Sequence, residues 1–163
     1  MKCLVLYCHP NPKSFNHAIL EQATGVLEKT HEIRLRDLYA LKFHPVLAAG
    51  DFEAFQKGEV PADIRQEQEH IRWADCLVVI APVWWAGLPA VLKGFIDRVF
   101  SYGFAYTAGP QGIQGLLTGK KVVVINTTGS PRKAYEETGM FRSLNRTMHQ
   151  GIFEFCGMTV VRH

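Results

Sequence analysis

Short apolar runs alternate along the chain with longer amphipathic stretches. Lys2–Tyr7 (KCLVLY) is apolar almost throughout and predicts a first strand. Polar and breaker residues run from His9 to Lys13. After them Phe15, Ile19, Ala23, Val26 and Leu27 recur at helical spacing. That spacing predicts a helix over Phe15–Lys29, with Ser14 as its N-cap. His31–Asp37 alternates apolar and polar positions, which marks a more exposed strand. Leu38–Val60, with Pro45, Gly50 and Gly58, reads as loop and short helical turns. Asp63–Ala74 is charged, with Ile64 and Ile71 on one stripe, and reads as a surface helix. Leu77–Ala81 (LVVIA) and Val122–Ile125 (VVVI) are continuous apolar strands, as in a parallel sheet buried on both faces. Between them, Val91, Leu92, Phe95, Ile96 and Val99 mark one face of a helix over Pro89–Phe100, with Pro89 where a first-turn proline is tolerated. Phe141–Phe155 predicts a further helix and Met158–Val161 a last strand.

The resulting order, β-α-β-α-β-α-β-α-β, argues for a doubly wound α/β domain with a parallel sheet and right-handed crossovers. No repeat, linker or low-complexity tract interrupts it, so one domain over residues 1–163 is expected. Ligands of such sheets bind beyond the carboxyl ends of the strands, at a topological switch point. That rule singles out three loops that follow apolar strands: His9–Asn16, Pro82–Leu88 and Asn126–Tyr135.

Composition narrows the function classes. With 163 residues and 47% apolar content, the chain is long and apolar enough for one compact core, which excludes intrinsic disorder. The longest apolar runs, Cys76–Val83 and Val122–Ile125, are far shorter than a membrane span, and no stretch of signal-peptide length follows Lys2. A soluble, cytoplasmic protein is expected. The net charge of +3 suits an anionic ligand such as a nucleotide. The basic residues are scattered rather than clustered, so nucleic acid is not indicated. Cys3, Cys8, Cys76 and Cys156 form no CxxC pair and read as reduced, buried residues. Cys8, at the end of the first strand, is the candidate for a reactive thiol. His31, His44, His70, His149 and His163 lack metal-ligand spacing, and no HExxH or Gly-x-Ser-x-Gly occurs, so neither a metal site nor a hydrolase elbow is expected.

The chemistry then rests on the three loops. The first lacks GxGxxG and GxxxxGK[ST], but it ends at a helix N-terminus, where free amides and the helix dipole favour an anion. Ser14 and Asn16 add hydrogen-bonding side chains, and His9 and Lys13 add positive charge. The second loop holds Trp84 and Trp85 side by side. Adjacent residues on extended chain point to opposite sides, so one core does not easily take both indoles, and a flat ligand or an aromatic-lined interface fits better. The third loop offers Thr127, Thr128, Gly129 and Ser130 to a polar ring edge or a phosphate, with Tyr135 on the same rim. Lys93 and Asp97, four apart on a helix, read as a solvated pair.

Several stretches resemble the NAD(P)H:quinone oxidoreductase family of the flavodoxin-like fold. They are His9 with Ser14-Phe15-Asn16; Asp37-Leu38-Tyr39-Ala40; Pro82 through Phe100 (PVWWAGLPAVLKGFIDRVF), running on to Gly103-Phe104-Ala105-Tyr106; Thr127-Thr128-Gly129; and Phe155-Cys156-Gly157. The resemblance covers nearly the whole chain in order. It implies a three-layer sandwich with strand order 2-1-3-4-5 and helices on both faces. It also implies a flavin-dependent NAD(P)H dehydrogenase (quinone), with two-electron hydride transfer from NAD(P)H through flavin N5 to a quinone in ping-pong fashion. The flavin phosphate would sit against His9, Lys13, Ser14, Phe15 and Asn16. Pro82, Val83, Trp84, Trp85, Thr127, Thr128 and Gly129 would hold the ring, and Tyr135 would be the catalytic residue. Trp85, Ala86, Phe104 and Tyr106 would line the substrate pocket, the last two reaching toward the partner of a homodimer.

Ser14-Phe15-Asn16 favours FAD, with FMN as the alternative. Arg132 or Lys133 is placed to meet an NADPH 2′-phosphate. In the mammalian-type members a proton-relay histidine stands six residues beyond the loop tyrosine, where this chain has Phe141. Ala86 replaces a larger aromatic. The family normally continues past the last strand with a tail or helix, without which one sheet face is incompletely covered. The resemblance leaves three other readings: an FMN-binding ancillary subunit partnered with a potassium-efflux transporter, an azo- or nitroreductase, and a flavodoxin-type electron carrier. Carriers of that type are strongly acidic, which this chain is not.

Overall fold

Cys76–Pro82 (CLVVIAP) is buried at every residue and forms the central strand of a five-stranded parallel sheet. The computed structural model describes residues 1–163. Its elements in chain order are β1 (Lys2–Tyr7), α1 (Phe15–Leu27), β2 (Glu32–Asp37), α2 (Ala49–Gln56), α3 (Ala62–Trp73), β3 (Cys76–Pro82), α4 (Ala90–Val99), β4 (Tyr106–Gly109), β5 (Gly112–Gly115), β6 (Lys121–Thr127), α5 (Arg132–Glu137), α6 (Met140–Asn145) and β7 (Thr159–Arg162). A π-helical segment, Arg146–Glu154, runs on from α6. The sheet order is β2-β1-β3-β6-β7, the expected 2-1-3-4-5 once β4 and β5 are set aside as an antiparallel hairpin of their own.

The elements begin and end where local chemistry dictates. Ser14 caps α1 by accepting the His17 N–H at 3.2 Å. Pro89 stands just outside α4 as its N-cap residue, one position before the first turn. α3 is less of a surface helix than its charges suggest. Ile64, Ile71 and Gln68 are fully buried, and the buried Glu67 carboxylate pairs with Arg36 of β2. The expected helix over Phe141–Phe155 is divided between α6 and the π-helical segment.

The two faces of the sheet are covered unequally. On one face Leu4, Leu6, Leu77, Val79, Val122 and Val124 pack under α3, α4, α6 and the π-helical segment in a cluster of 24 buried residues. On the other, Val5, Tyr7, Val78 and Ile80 pack under α1 alone in a cluster of seven. Val123 and Ile125 of β6 lie past the reach of α1 and are only half-buried. Between α1 and these residues runs an almost wholly apolar groove of about 550 Å³, bordered by the exposed Phe15 and Val26. The incompletely covered face is therefore a feature of the structure. No helix is long and apolar enough to cross a membrane.

Candidate active site

β1 and β3 are neighbours, but the chain leaves β1 toward β2 and leaves β3 toward β6, on opposite sides. Their loops diverge, and the gap between them at the carboxyl edge is the switch point at which α/β sheets bind ligands. A cleft of about 740 Å³ opens there. All three loops singled out by the sequence contribute to it.

The first loop is drawn tight by its own side chains. The Asn11 amide donates to His9 Nδ1 at 3.0 Å, the Lys13 amide to Asn11 Oδ1 at 2.8 Å, and the Ser14 amide to the Asn11 carbonyl at 3.1 Å. Nδ1 of His9 thereby accepts within the loop. The ring lies edge-on to Trp84, with centroids 5.7 Å apart. The loop delivers the chain to α1, whose first amides, those of Phe15 and Asn16, have no intrahelical partner. Asn16 is buried and donates from Nδ2 to Thr127 Oγ1 at 2.8 Å, while its Oδ1 has no partner at all. A buried carboxamide oxygen without a donor is costly unless a ligand or water completes it.

The second loop turns sharply. Trp84 and Gly87 exchange reciprocal backbone hydrogen bonds at 3.0 Å, and the two residues between them, Trp85 and Ala86, hold φ of +50° and +58°. This resembles a primed turn, normally built from Asn and Gly because left-handed backbone strains other residues. The chain here is therefore not extended, and the tryptophans are not split between two cores. Trp84 is partly exposed and Trp85 is fully exposed.

The third loop is tied to the second by the Val83 amide, which donates to the Thr127 carbonyl at 2.8 Å. Asn126 Nδ2 donates to the Ala81 carbonyl, also at 2.8 Å. Beyond them the amides of Thr128, Gly129 and Ser130 donate to no backbone carbonyl. Tyr135 projects from α5 into the cleft lining, its ring tilted on Phe141 at 5.2 Å. None of the lining residues is acidic. Free amides, the positive end of α1 and His9 give the cleft the character of an anion site with an aromatic flank.

The structure brings together His9, Ser14, Phe15, Asn16, Pro82, Val83, Trp84, Trp85, Ala86, Thr127, Thr128, Gly129 and Tyr135. Ser130, offered by the third loop but not assigned to a ligand, lines the cleft too. Five expected residues lie outside the cleft lining. Lys13 is exposed and is not part of the lining. Phe104 is buried, with the Arg72 guanidinium 4.8 Å from its ring centre, so its ring is committed to this subunit's own core. Tyr106 stacks edge-on against Tyr102 at 5.7 Å and tilted on Phe155 at 5.2 Å, away from the cleft. Arg132 and Lys133 are exposed on α5, each paired with the glutamate four residues on. Cys8 is no reactive thiol: it is fully buried, and burial pushes its pKa up to about 12.

A family model described as a flavodoxin-like fold matches residues 1–163. The chain is 37% identical over 160 residues to a Haemophilus influenzae protein named an uncharacterized NAD(P)H oxidoreductase, covering 97% of this chain and 79% of that one. It is 31% identical over 181 residues to the human ribosyldihydronicotinamide dehydrogenase [quinone], covering 98% and 78%. Among solved structures, the NAD(P)H:quinone oxidoreductase of Methanothermobacter marburgensis superposes with a TM-score of 0.86 at 32% identity, covering all of this chain and 82% of that one.

Proposed function

The chain belongs to the NAD(P)H:quinone oxidoreductase family of the flavodoxin-like fold, and from that membership we propose that it is a flavin-dependent NAD(P)H:quinone oxidoreductase acting in the cytoplasm as a single flavin-binding domain. The observation that carries this reading is the switch-point cleft itself. It joins unpartnered amides, a buried orphan oxygen on Asn16 and a fully exposed indole on Trp85. Those are the contacts a phosphate, a polar ring edge and a flat ring require.

A flavin bound there supplies hydride acceptance from NAD(P)H and hydride donation to the quinone. The residues do the rest. Ser14 and the first amides of α1 hold the phosphate. The backbone of Pro82–Trp85 and Thr127–Gly129 would orient the ring edge, with the buried Asn16 carboxamide beside it. The free amides of Thr128, Gly129 and Ser130 stabilise negative charge at the polar edge. Trp85 would flank the bound ring, and the small side chain of Ala86 would leave room beside it for the second substrate. Both substrates would use that one cleft, so they would bind in turn. Tyr135 holds a proton at its hydroxyl on the rim. Its neighbour Phe141 has none to relay, so solvent resupplies it.

We take the flavin to be FAD, on the Ser14-Phe15-Asn16 sequence. We take the active form to be a homodimer, supported by the exposed Tyr102, Ile113, Leu116 and Phe155 around the β4–β5 hairpin. The test is the visible spectrum of the purified protein, chromatography of the released cofactor and anaerobic addition of NADPH. A bleached flavin band that recovers on adding a quinone is expected. A colourless protein that takes up neither FAD nor FMN overturns the reading.

A further inference from the structure

A second cavity, of about 380 Å³, shares His9 with the cleft and is otherwise lined by Tyr7 of β1, the first loop, α1 and the end of β2. Three buried side-chain polar atoms of the protein lack a hydrogen-bond partner. One, Asn16 Oδ1, belongs to the cleft, and the other two, Tyr7 Oη and His17 Nδ1, belong to residues lining this cavity. Tyr7 is 1% exposed, so its hydroxyl has lost bulk water and gained nothing in exchange. Tyr7 and Asp37 are register partners on neighbouring parallel strands, so their side chains leave the same face of the sheet. Asp37 Oδ1 accepts the Tyr39 and Ala40 amides at 3.0 and 3.1 Å, which fixes the carboxylate and leaves Oδ2 open.

We propose that this cavity binds the 2′,3′-diol of a nucleotide ribose. A diol matches the open groups one for one. One ligand hydroxyl accepts from Tyr7 Oη and donates to Asp37 Oδ2. The other donates to His17, whose neutral ring offers Nδ1 as an acceptor when its hydrogen sits on Nε2, 3.7 Å from Glu21 Oε1. An ammonium group would leave the Tyr7 hydrogen unused. A phosphate would meet the Asp37 carboxylate with no lysine or arginine in the lining to offset it. A single water, with a share of about 30 Å³, would fill little of the space. The half-exposed Tyr39 ring and Pro10 and Pro12 supply flat apolar surface for a base beside the sugar. The position has a physical precedent in dinucleotide-binding β-α-β units, where an acidic side chain past the first helix accepts from the ribose 2′-hydroxyl while the phosphate rests at that helix's N-terminus. Asp37 closes β2 of the β1-α1-β2 arrangement here.

The identity of the nucleotide rests on the proposed function, which supplies two sources of this diol: the adenosine end of FAD and that of NADH. The subsite itself is tested without either. ADP is titrated calorimetrically into the flavin-free full chain. It is expected to bind, with 2′-deoxy-ADP weaker by roughly tenfold, the loss of one hydrogen bond to a charged group. Tyr7→Phe and Asp37→Asn, which keeps an Oδ1 for the two amides, should each weaken ADP by a similar factor and leave inorganic pyrophosphate unchanged. Tyr7→Phe should unfold at or above the wild-type Tm, because its hydroxyl has no partner to lose. A lowered Tm places that hydroxyl in the fold rather than in the cavity and overturns the inference. So do equal affinities for ADP and 2′-deoxy-ADP, undetectable ADP binding, or variants that bind ADP as wild type does. The source is read from the same variants. Weaker FAD with unchanged FMN assigns the diol to the flavin; a raised KM for NADH with unchanged KM for NADPH and unchanged flavin affinity assigns it to the reductant. If neither moves, the inference falls. A chain that discriminates ADP from 2′-deoxy-ADP but takes up neither FAD nor FMN upholds the subsite and overturns the flavin reading instead.

Discussion

Trp85 and Ala86 stand in left-handed backbone that Asn and Gly occupy more cheaply, and nothing in the packing of either side chain repays the cost. Strain of this kind is retained where a site needs it. Here it aims a fully exposed indole across the mouth of the cleft. Ala86→Gly is expected to stabilise the protein by about 1 kcal/mol, since a left-handed turn residue costs an L side chain about that much. That gain raises Tm by roughly 2–4 °C in a chain of this size, and calorimetry on the flavin-free protein would show it. An unchanged or lowered Tm means the turn is not strained. Trp85→Ala touches no core, so its unfolding midpoint should match wild type, while KM for both substrates rises about tenfold or more through loss of the aromatic flank. Wild-type turnover at wild-type KM would remove Trp85 from the pocket. Tyr135→Phe deletes one hydroxyl beside a phenylalanine that offers no substitute. Reduction of the bound flavin by NADPH should slow by about 10²-fold, the low end of general-acid contributions. Stopped-flow absorbance reads that step in isolation, and an unchanged rate would take Tyr135 off the catalytic list.

The elements around the cleft were legible in proportion to how strongly burial marks them. Lys2–Tyr7, Leu77–Ala81 and Val122–Ile125 are strands because continuous apolar runs have no other stable place in a doubly wound sheet, and Ser14 announces α1 through a hydrogen bond that is local in sequence. What stayed hidden lacks such marks. The β4–β5 hairpin is four residues a side and largely exposed, so neither alternation nor an apolar run betrays it. α5 has no buried residue, and α2 is held by a single ion cluster rather than by an apolar stripe. In that cluster Arg98 of α4 donates from Nε and Nη2 to both carboxylate oxygens of Asp51 at 2.9 Å, and from Nη1 to the His44 carbonyl at 3.0 Å. Only the fold brings these groups together, across 47 positions of sequence. Hydrogen bonds from Arg98 hold the Asp51 carboxyl below the usual carboxylate range. Its stabilising share is therefore present above about pH 4 and lost as pH falls through the lowered value. Arg98→Leu strands a buried carboxylate and is expected to cost about 3–5 kcal/mol. Urea unfolding at pH 7 and pH 3 should show the variant's deficit shrinking in acid, and a deficit independent of pH would mean that packing, not charge, ties α2 to α4. The same junction explains Gly94, where an added Cβ would fall 2.1 Å from the Pro45 carbonyl oxygen.

At the scale of the molecule the decisive fact is the asymmetry of the sheet. Three helices and the π-helical segment seal one face, while α1 alone shelters the other and leaves the Val123 and Ile125 flank open to the groove. The switch-point cleft sits at the end of both layers, and Phe15 borders cleft and groove alike. One leucine in each layer compares the two faces by identical chemistry. Leu92 of α4 is 1% exposed at the centre of the large cluster, and Leu20 of α1 is 5% exposed in the small one. Truncating a buried leucine to alanine costs about 2–5 kcal/mol, and the spread reflects how far the surroundings collapse or admit water into the space left behind. Leu92 is buried within the 24-residue cluster, so Leu92→Ala should fall near the top of that range. α1 has an open groove along its flank and room to settle, so Leu20→Ala should fall near the bottom. Equilibrium urea unfolding of both variants at matched m-values makes the comparison. If Leu20→Ala costs as much as Leu92→Ala, the layer under α1 is as tightly held as the other, and the groove does not loosen the helix whose N-terminus borders the cleft.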